Sequence, residues 1–303
     1  MKKIISILVV AVMMVSCLSL CVSAEESITS PDQFVLDGTV NKLTSNISGN
    51  ASILDGTQKL VIDLNGYTWE APSGVVLTIG NGEVEIYDSS ADKTGFIKSN
   101  DNDAISMSNG SLHIKDVTVE ANGGGMDAIF VGGGKLVAEN CTLYANKAGI
   151  DADNNSEAVS ADAFANITVI GGKFASHPAP GDRNCAIELR ASGAQGPTVV
   201  LQGDIEFEND KIMVRNDYTL AVADRITAEG GATVSFGEAQ AVAGRDNYTY
   251  STITYEVNAD EGGDEGEDEG GEPTETPDTA DAFVVIAMAV AAISGAVISK
   301  KSR

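Results

Sequence analysis

Gly110-Ser111-Leu112-His113-Ile114-Lys115-Asp116-Val117-Thr118-Val119 decides the fold, because variants of it recur on both sides. Upstream stands Gly82-Glu83-Val84-Glu85-Ile86-Tyr87-Asp88. Downstream stand Gly134-Lys135-Leu136-Val137-Ala138-Glu139-Asn140-Cys141-Thr142-Leu143 and Ala165-Asn166-Ile167-Thr168-Val169-Ile170-Gly171-Gly172-Lys173-Phe174. The starts lie 28, 24 and 31 residues apart. Val84 and Ile86, Leu112 and Ile114, Leu136 and Ala138, and Ile167 and Val169 take matching places. Each pair has the period of two that marks a strand with one buried face. A second strand pattern recurs between these units: Asp103 to Met107, Asp127 to Val131, Ala148 to Ala152 and Cys185 to Leu189.

One such unit cannot bury its own inward face, but units stacked in register can. The pattern predicts an all-β fold, a right-handed parallel β-helix. This solenoid needs capped ends, because its terminal strands expose unpaired edges. The caps are expected at Glu25 to about Asn50 and at Thr249 to Val257. Helical periodicity is confined to the two terminal apolar segments. An aromatic content of 5% suits a narrow interior filled by Val, Ile, Leu and Ala. The alternative is an antiparallel β-sandwich, whose turns lack a superperiod. Leu60-Val61-Ile62-Asp63-Leu64-Asn65-Gly66-Tyr67 resembles the entry coil of pectate-lyase-like β-helices, and that resemblance covers about residues 55–210.

The C-terminus reads Thr276-Pro277-Asp278-Thr279-Ala280-Asp281, then an apolar run of 17 residues from Ala282 to Ile298, then Lys300-Lys301-Ser302-Arg303. The run is at the short limit of a membrane-spanning helix, and the basic end would stay cytoplasmic. The arrangement resembles the sorting signal of Gram-positive surface proteins that sortase links to peptidoglycan. Carried over by position, Thr279 is the acyl donor, Ala280 the first residue released, and Pro277 the kink the enzyme reads. Thr276 stands where leucine is usual and Ala280 where glycine is usual, which leaves the sortase class open. The alternatives are a plain membrane anchor and a GPI signal, and the terminal lysines speak against the latter. At the other end, Lys2 and Lys3 precede an apolar stretch and the small-residue site Val22-Ser23-Ala24. Residues 1–24 therefore read as a signal peptide, cleaved between Ala24 and Glu25. A lipobox at Met14-Val15-Ser16-Cys17 is the competing processing site.

The organisation expected is a signal peptide (1–24), a capped β-helix domain (25–257), an acidic disordered linker (258–275), and a sorting signal (276–303) containing a transmembrane segment (282–298). Processing removes five basic residues and one acidic one. It leaves 14 basic and 43 acidic residues, a net charge of −29. The linker is mostly Asp, Glu and Gly, so it cannot bury apolar surface and its charges repel. It reads as a stalk. So acidic a surface excludes nucleic acid as a partner, since no basic stripe can neutralise phosphates. Cys141 and Cys185 alone remain outside the signal peptide. They read as free, buried thiols, with a disulfide permitted by the compartment.

Pectate-lyase-like folds host polysaccharide lyases and glycoside hydrolases, but a fold does not carry a function. A lyase needs calcium-binding carboxylates beside a basic proton acceptor. Asp151 and Asp153, with Asp127 and Arg183 or Arg190, are the residues that can be assembled that way. Asp127 opens a strand as Asp103 does, so it reads as a turn residue. Asp151 and Asp153 alternate with Ile150 and Ala152 and are expected to face water. The Asp-Asp pair and Gly-His-Gly of polygalacturonase-type hydrolases are absent. No catalytic residue is assigned. No metal ligand set is assigned either, and calcium is the one cofactor the carboxylates suggest. His177 and Arg183 lie in the longest interruption of the repeat, Ser176 to Arg183; long insertions on one face of a solenoid are where binding tends to sit, and a tolerated surface loop is the alternative reading. Candidate binding residues are therefore Asp151, Asp153, His177, Arg183 and Arg190.

The expectation is an extracellular, cell-wall-anchored surface protein that binds a glycan or a host or neighbour surface. Its partners are sortase and peptidoglycan, and it meets the membrane only through the C-terminal segment. An extracellular polysaccharide lyase or glycoside hydrolase is the first alternative, and a passive structural wall component is the second.

Overall fold

The computed structural model describes residues 25–123, 126–145, 148–152, 165–176, 185–190, 196–208, 210–215, 221–242 and 245–258. Residues 1–24, read above as a signal peptide, most of the segment read as an acidic linker, and residues 276–303, read as a sorting signal with Thr276, Pro277, Asp278, Thr279 and Ala280, lie outside them. Among the described residues the regular structure is β, apart from two single 3-10 turns, Pro31–Gln33 and Val222–Asp224. No helix among them is long and apolar enough to cross a membrane.

The strands form two large sheets, one of 13 strands and one of 10. In one arm of the first sheet, Asp37–Leu43, Lys59–Asp63, Glu83–Tyr87, Ser111–Lys115 and Lys135–Ala145 pair side by side in parallel. In its other arm, Ile47–Ser48, Thr68–Ala71, Phe96–Ser99 and Thr118–Ala121 do the same. The long strands Lys135–Ala145, Asn166–Ser176 and Thr198–Phe207 run through both arms, so the sheet is strongly curled. The second sheet stacks Ala51–Ile53, Leu77–Ile79, Ile105–Met107, Asp127–Val131, Ala148–Ala152, Cys185–Leu189 and Lys211–Arg215, again in parallel.

The register follows the repeat residue for residue. Val84, Leu112, Leu136 and Ile167 are successive partners, and so are Ile86, Ile114, Ala138 and Val169. In the second sheet Ile105, Ile129, Ile150, Ile187 and Ile212 form one column. A one-residue slip would turn such columns outward, so burial fixes the pairing. The inward residues of both sheets meet in one apolar core. Each fully buried Leu, Ile or Val there contributes about 1.5–3 kcal/mol.

The curl has a local cause. Asp116, Asn140, Gly171 and Gly203 follow the register partners Lys115, Glu139, Ile170 and Gln202. Their φ angles are 56°, 51°, 64° and 66°. A left-handed residue at one fixed place turns the chain from one arm into the other. Only Gly, or Asp and Asn with their short polar side chains, take up that conformation readily.

The ends differ from the caps expected. Glu25–Ile28 is itself a ladder strand, paired in parallel with Asp37–Leu43. Closure on that side comes from Phe34, which packs edge-on against the wholly buried Trp69. Buried Asn41 sits above Ile62 and donates to the carbonyls of Val35, Thr39 and Val61, satisfying polar groups where the aliphatic column stops. At the other side the closing strand is Arg245–Val257, longer than 249–257. It runs antiparallel to Lys211–Arg215, Ala232–Phe236 and Gln240–Val242. An antiparallel strand ends the parallel stacking, which is the physical reason the repeat stops there.

Candidate functional site

Of the five candidate binding residues, two fall on described backbone, Asp151 within a strand of the second sheet and Arg190 just past the end of another. Asp151 lies in Ala148–Ala152, where its Cα partners are Phe130 on one side and Glu188 on the other. Arg190 directly follows Cys185–Leu189. Its Nε donates to Oε1 of Glu188 at 2.8 Å. The Glu188 side chain is wholly buried and that of Arg190 is 12% exposed. Asp153, His177 and Arg183 lie outside the described residues.

The column Phe130–Asp151–Glu188–Met213 is therefore the geometric centre of the site. Phe130 is part-exposed, whereas Glu188 is buried, so the outer side of this sheet is not uniformly open to water. Beside Glu188, its register partner Met213 belongs to a second apolar cluster with Cys185 and Val242, on which Tyr248 and Tyr250 pack. The antiparallel closing strand delivers both tyrosines. A buried carboxylate is tolerated when a charged donor pairs with it, and Arg190 supplies that donor.

Glu188 is the residue that sequence reading passed over. Aligned by the repeat, it occupies the place of Ser106, Phe130 and Asp151, and that alignment is the signal that could have found it.

The other polar groups named from sequence brace the fold. Asp127 is the buried first residue of Asp127–Val131, paired with Ala148, and its N–H donates to Oδ1 of Asp103 at 2.8 Å. His113 faces outward on the first sheet, its Nε2 3.4 Å from Glu139, and Lys115 bonds the same carboxylate at 2.6 Å. Asp88 is buried. Desolvation alone would raise its pKa, but the N–H groups of Ser90, Gly95 and Gly66 and the Ser90 hydroxyl hold it below the ordinary carboxylate value. Tyr87 beside it is raised, chiefly by burial and then by the charge of Asp63. Cys141 and Cys185 are both buried, and neither is in a disulfide. Burial pushes the Cys141 thiol from 9.0 up to about 12, so it is no nucleophile at neutral pH.

Among the described residues no three His, Cys, Asp or Glu side chains gather within reach of one metal ion. The chain matches no family model, no curated protein and no solved structure.

Proposed function

We propose that the chain is a secreted protein held on a Gram-positive cell wall, whose right-handed parallel β-helix binds a glycan or a host or neighbour surface. Strand after strand pairs in parallel with one 24 to 33 residues further on, which supports a solenoid. The right hand is the one that parallel crossovers between right-twisted strands adopt. Anchoring rests on the order of pentapeptide, apolar run and basic end at residues 276–303.

Binding rests on one observation above the others. Asp151, the Glu188–Arg190 pair and part-exposed Phe130 share adjacent rungs of one sheet. Acidic, basic and aromatic residues, the types by which sites fix a polar ligand, are thus carried on neighbouring strands of this sheet.

Two measurements test the proposal. Wall material released by a muramidase is analysed by mass spectrometry. A chain ending at Thr279 and joined to a wall amine is expected, and an intact chain in the membrane fraction refutes the anchoring. The purified domain is then applied to an array of glycans and matrix proteins. Retention of one class is expected. New reducing ends or unsaturated uronates, lost in Asp151→Ala or Arg190→Ala, would make it an enzyme. No retention at all would make it a passive wall component.

A further inference from the structure

We infer that the outer side of the second sheet between Ser52 and Phe130 is a docking track for an uncharged polysaccharide chain lying along the stacking direction. This rests on the proposed binding reading and names its ligand class and its face.

Outward positions on this sheet follow from the alternation with buried residues. Thr78 lies between buried Leu77 and Ile79, and Ser106 between buried Ile105 and Met107. The register partners Ser52, Thr78, Ser106 and Phe130 thus form one outward column. Two residues on, a second column holds Leu54, Gly80, Ser108 and Gly132, and Leu54 is 65% exposed. Neither column carries a charge, in a chain with a net charge of −25. The first sheet is the opposite: over the same rungs its outward positions include Lys59, Glu83, Glu85, Lys115, Lys135 and Glu139.

The shape selects the occupant. A track two side chains wide is far below the roughly 800 Å² per partner that a stable protein interface buries. It suits a single extended chain. Rungs recur about every 4.8 Å, and Ser52, Thr78 and Ser106 offer one hydroxyl at each. A polysaccharide repeats hydroxyls along its length in the same way. Leu54 and Phe130 add apolar faces at the two ends for the C–H surfaces of sugar rings. The surrounding negative field repels an anionic glycan and leaves a neutral one unaffected.

The test measures retention of the secreted domain (residues 25–257) on immobilised neutral β-glucan, mannan and chitin oligosaccharides, and on polygalacturonate. Three variants are compared with wild type: Thr78→Glu, Ser106→Glu and, as control on the charged sheet, Ser111→Glu. Circular dichroism melting confirms that each is folded. Affinity for one neutral glycan is expected to fall at least tenfold in Thr78→Glu and Ser106→Glu and to hold in Ser111→Glu. Equal binding by all three variants, a preference for polygalacturonate, or retention only on protein overturns the track while leaving the binding reading intact. Wild type retained on nothing overturns both.

Discussion

Phe34 meets Trp69 edge-on, with ring centroids 5.1 Å apart and ring planes at 76°. Below Trp69 the same inward column continues as Ile97, Val119, Leu143, Phe174 and Phe207. At its far end Tyr255 packs on Phe207 at 6.2 Å, its hydroxyl donating to the Gly203 carbonyl. One aliphatic column is thus closed at both ends by aromatic pairs. Trp69 also donates its indole N–H to the Gly49 carbonyl, so the plug is satisfied as well as apolar.

Removing the plug has a direct readout, because the chain has one tryptophan. Phe34→Ala uncovers Trp69 and is expected to shift its fluorescence to the red while the far-ultraviolet spectrum keeps its β form. Trp69→Ala loses a wholly buried side chain and should cost about 3–5 kcal/mol in urea unfolding. Unchanged emission in Phe34→Ala would show that the ring does not shield the indole.

The glycines that begin the repeats make a sharper case. A Cβ on Gly134 (φ 83°) would stand 2.4 Å from the Gly110 carbonyl oxygen. That neighbour is backbone and cannot swing aside. Gly134→Ala is expected to destabilise by more than the roughly 1–3 kcal/mol of ordinary overpacking, because left-handed strain adds to the clash. At the corner the order reverses. Asn140 already holds a φ of 51°, so Asn140→Gly should be near neutral, and Asn140→Val should lose about 1–2 kcal/mol. Equal stability of the two Asn140 variants would argue against the corner's role.

Much of this was legible in the sequence. The spacing of Val84, Leu112, Leu136 and Ile167 gave the strands, the pairing and the inward face together, because burial on one face leaves a single admissible register. The corner was half legible, as a recurrent Asp, Asn or Gly whose shared left-handed geometry only the register reveals. The closing strand was not, since Arg245 to Val257 pairs antiparallel with residues far apart in sequence. For the same reason Glu188 escaped notice. Its register partner Met213 packs with Val242, Tyr248 and Tyr250, which come from a later part of the chain.

Asp88 predicts the acid limb of stability. Its folded pKa lies below the ordinary carboxylate value, so the unfolded chain takes up a proton first as pH falls. The contribution is complete above the ordinary carboxylate range and disappears as pH drops through the folded value. Asp88→Asn should lower stability at neutral pH by about 1–3 kcal/mol, the cost of leaving buried N–H groups unmatched. It should also flatten the decline between about pH 5 and 3. Denaturant midpoints across that range, wild type against variant, are the measurement, and parallel curves would sink the assignment.

Cys141 governs the alkaline side with the opposite sign. Its thiol stays protonated in the fold up to about 12, whereas the unfolded chain ionises from 9.0. The stabilisation is full below pH 9 and is lost as pH rises towards 12. Cys141→Ala should remove this decline at the cost of a small cavity. A thiol reagent at pH 8 should label Cys141 no faster than the protein unfolds, and rapid labelling of the native state would contradict its burial.

The Glu188–Arg190 pair yields the last prediction, and the most discriminating, because it separates a structural ion pair from a binding one. Breaking a buried pair from one side strands a charge and costs about 3–5 kcal/mol, whereas replacing both partners by apolar groups of similar volume is often neutral. Glu188→Leu and Arg190→Met should therefore each lower the melting temperature sharply, and the double variant should recover most of the loss. If the pair serves only the fold, the double variant binds surface ligand as wild type does. If Arg190 touches ligand, the double variant melts normally and still binds at least tenfold more weakly. Melting and array retention, read on the same three variants, decide between them.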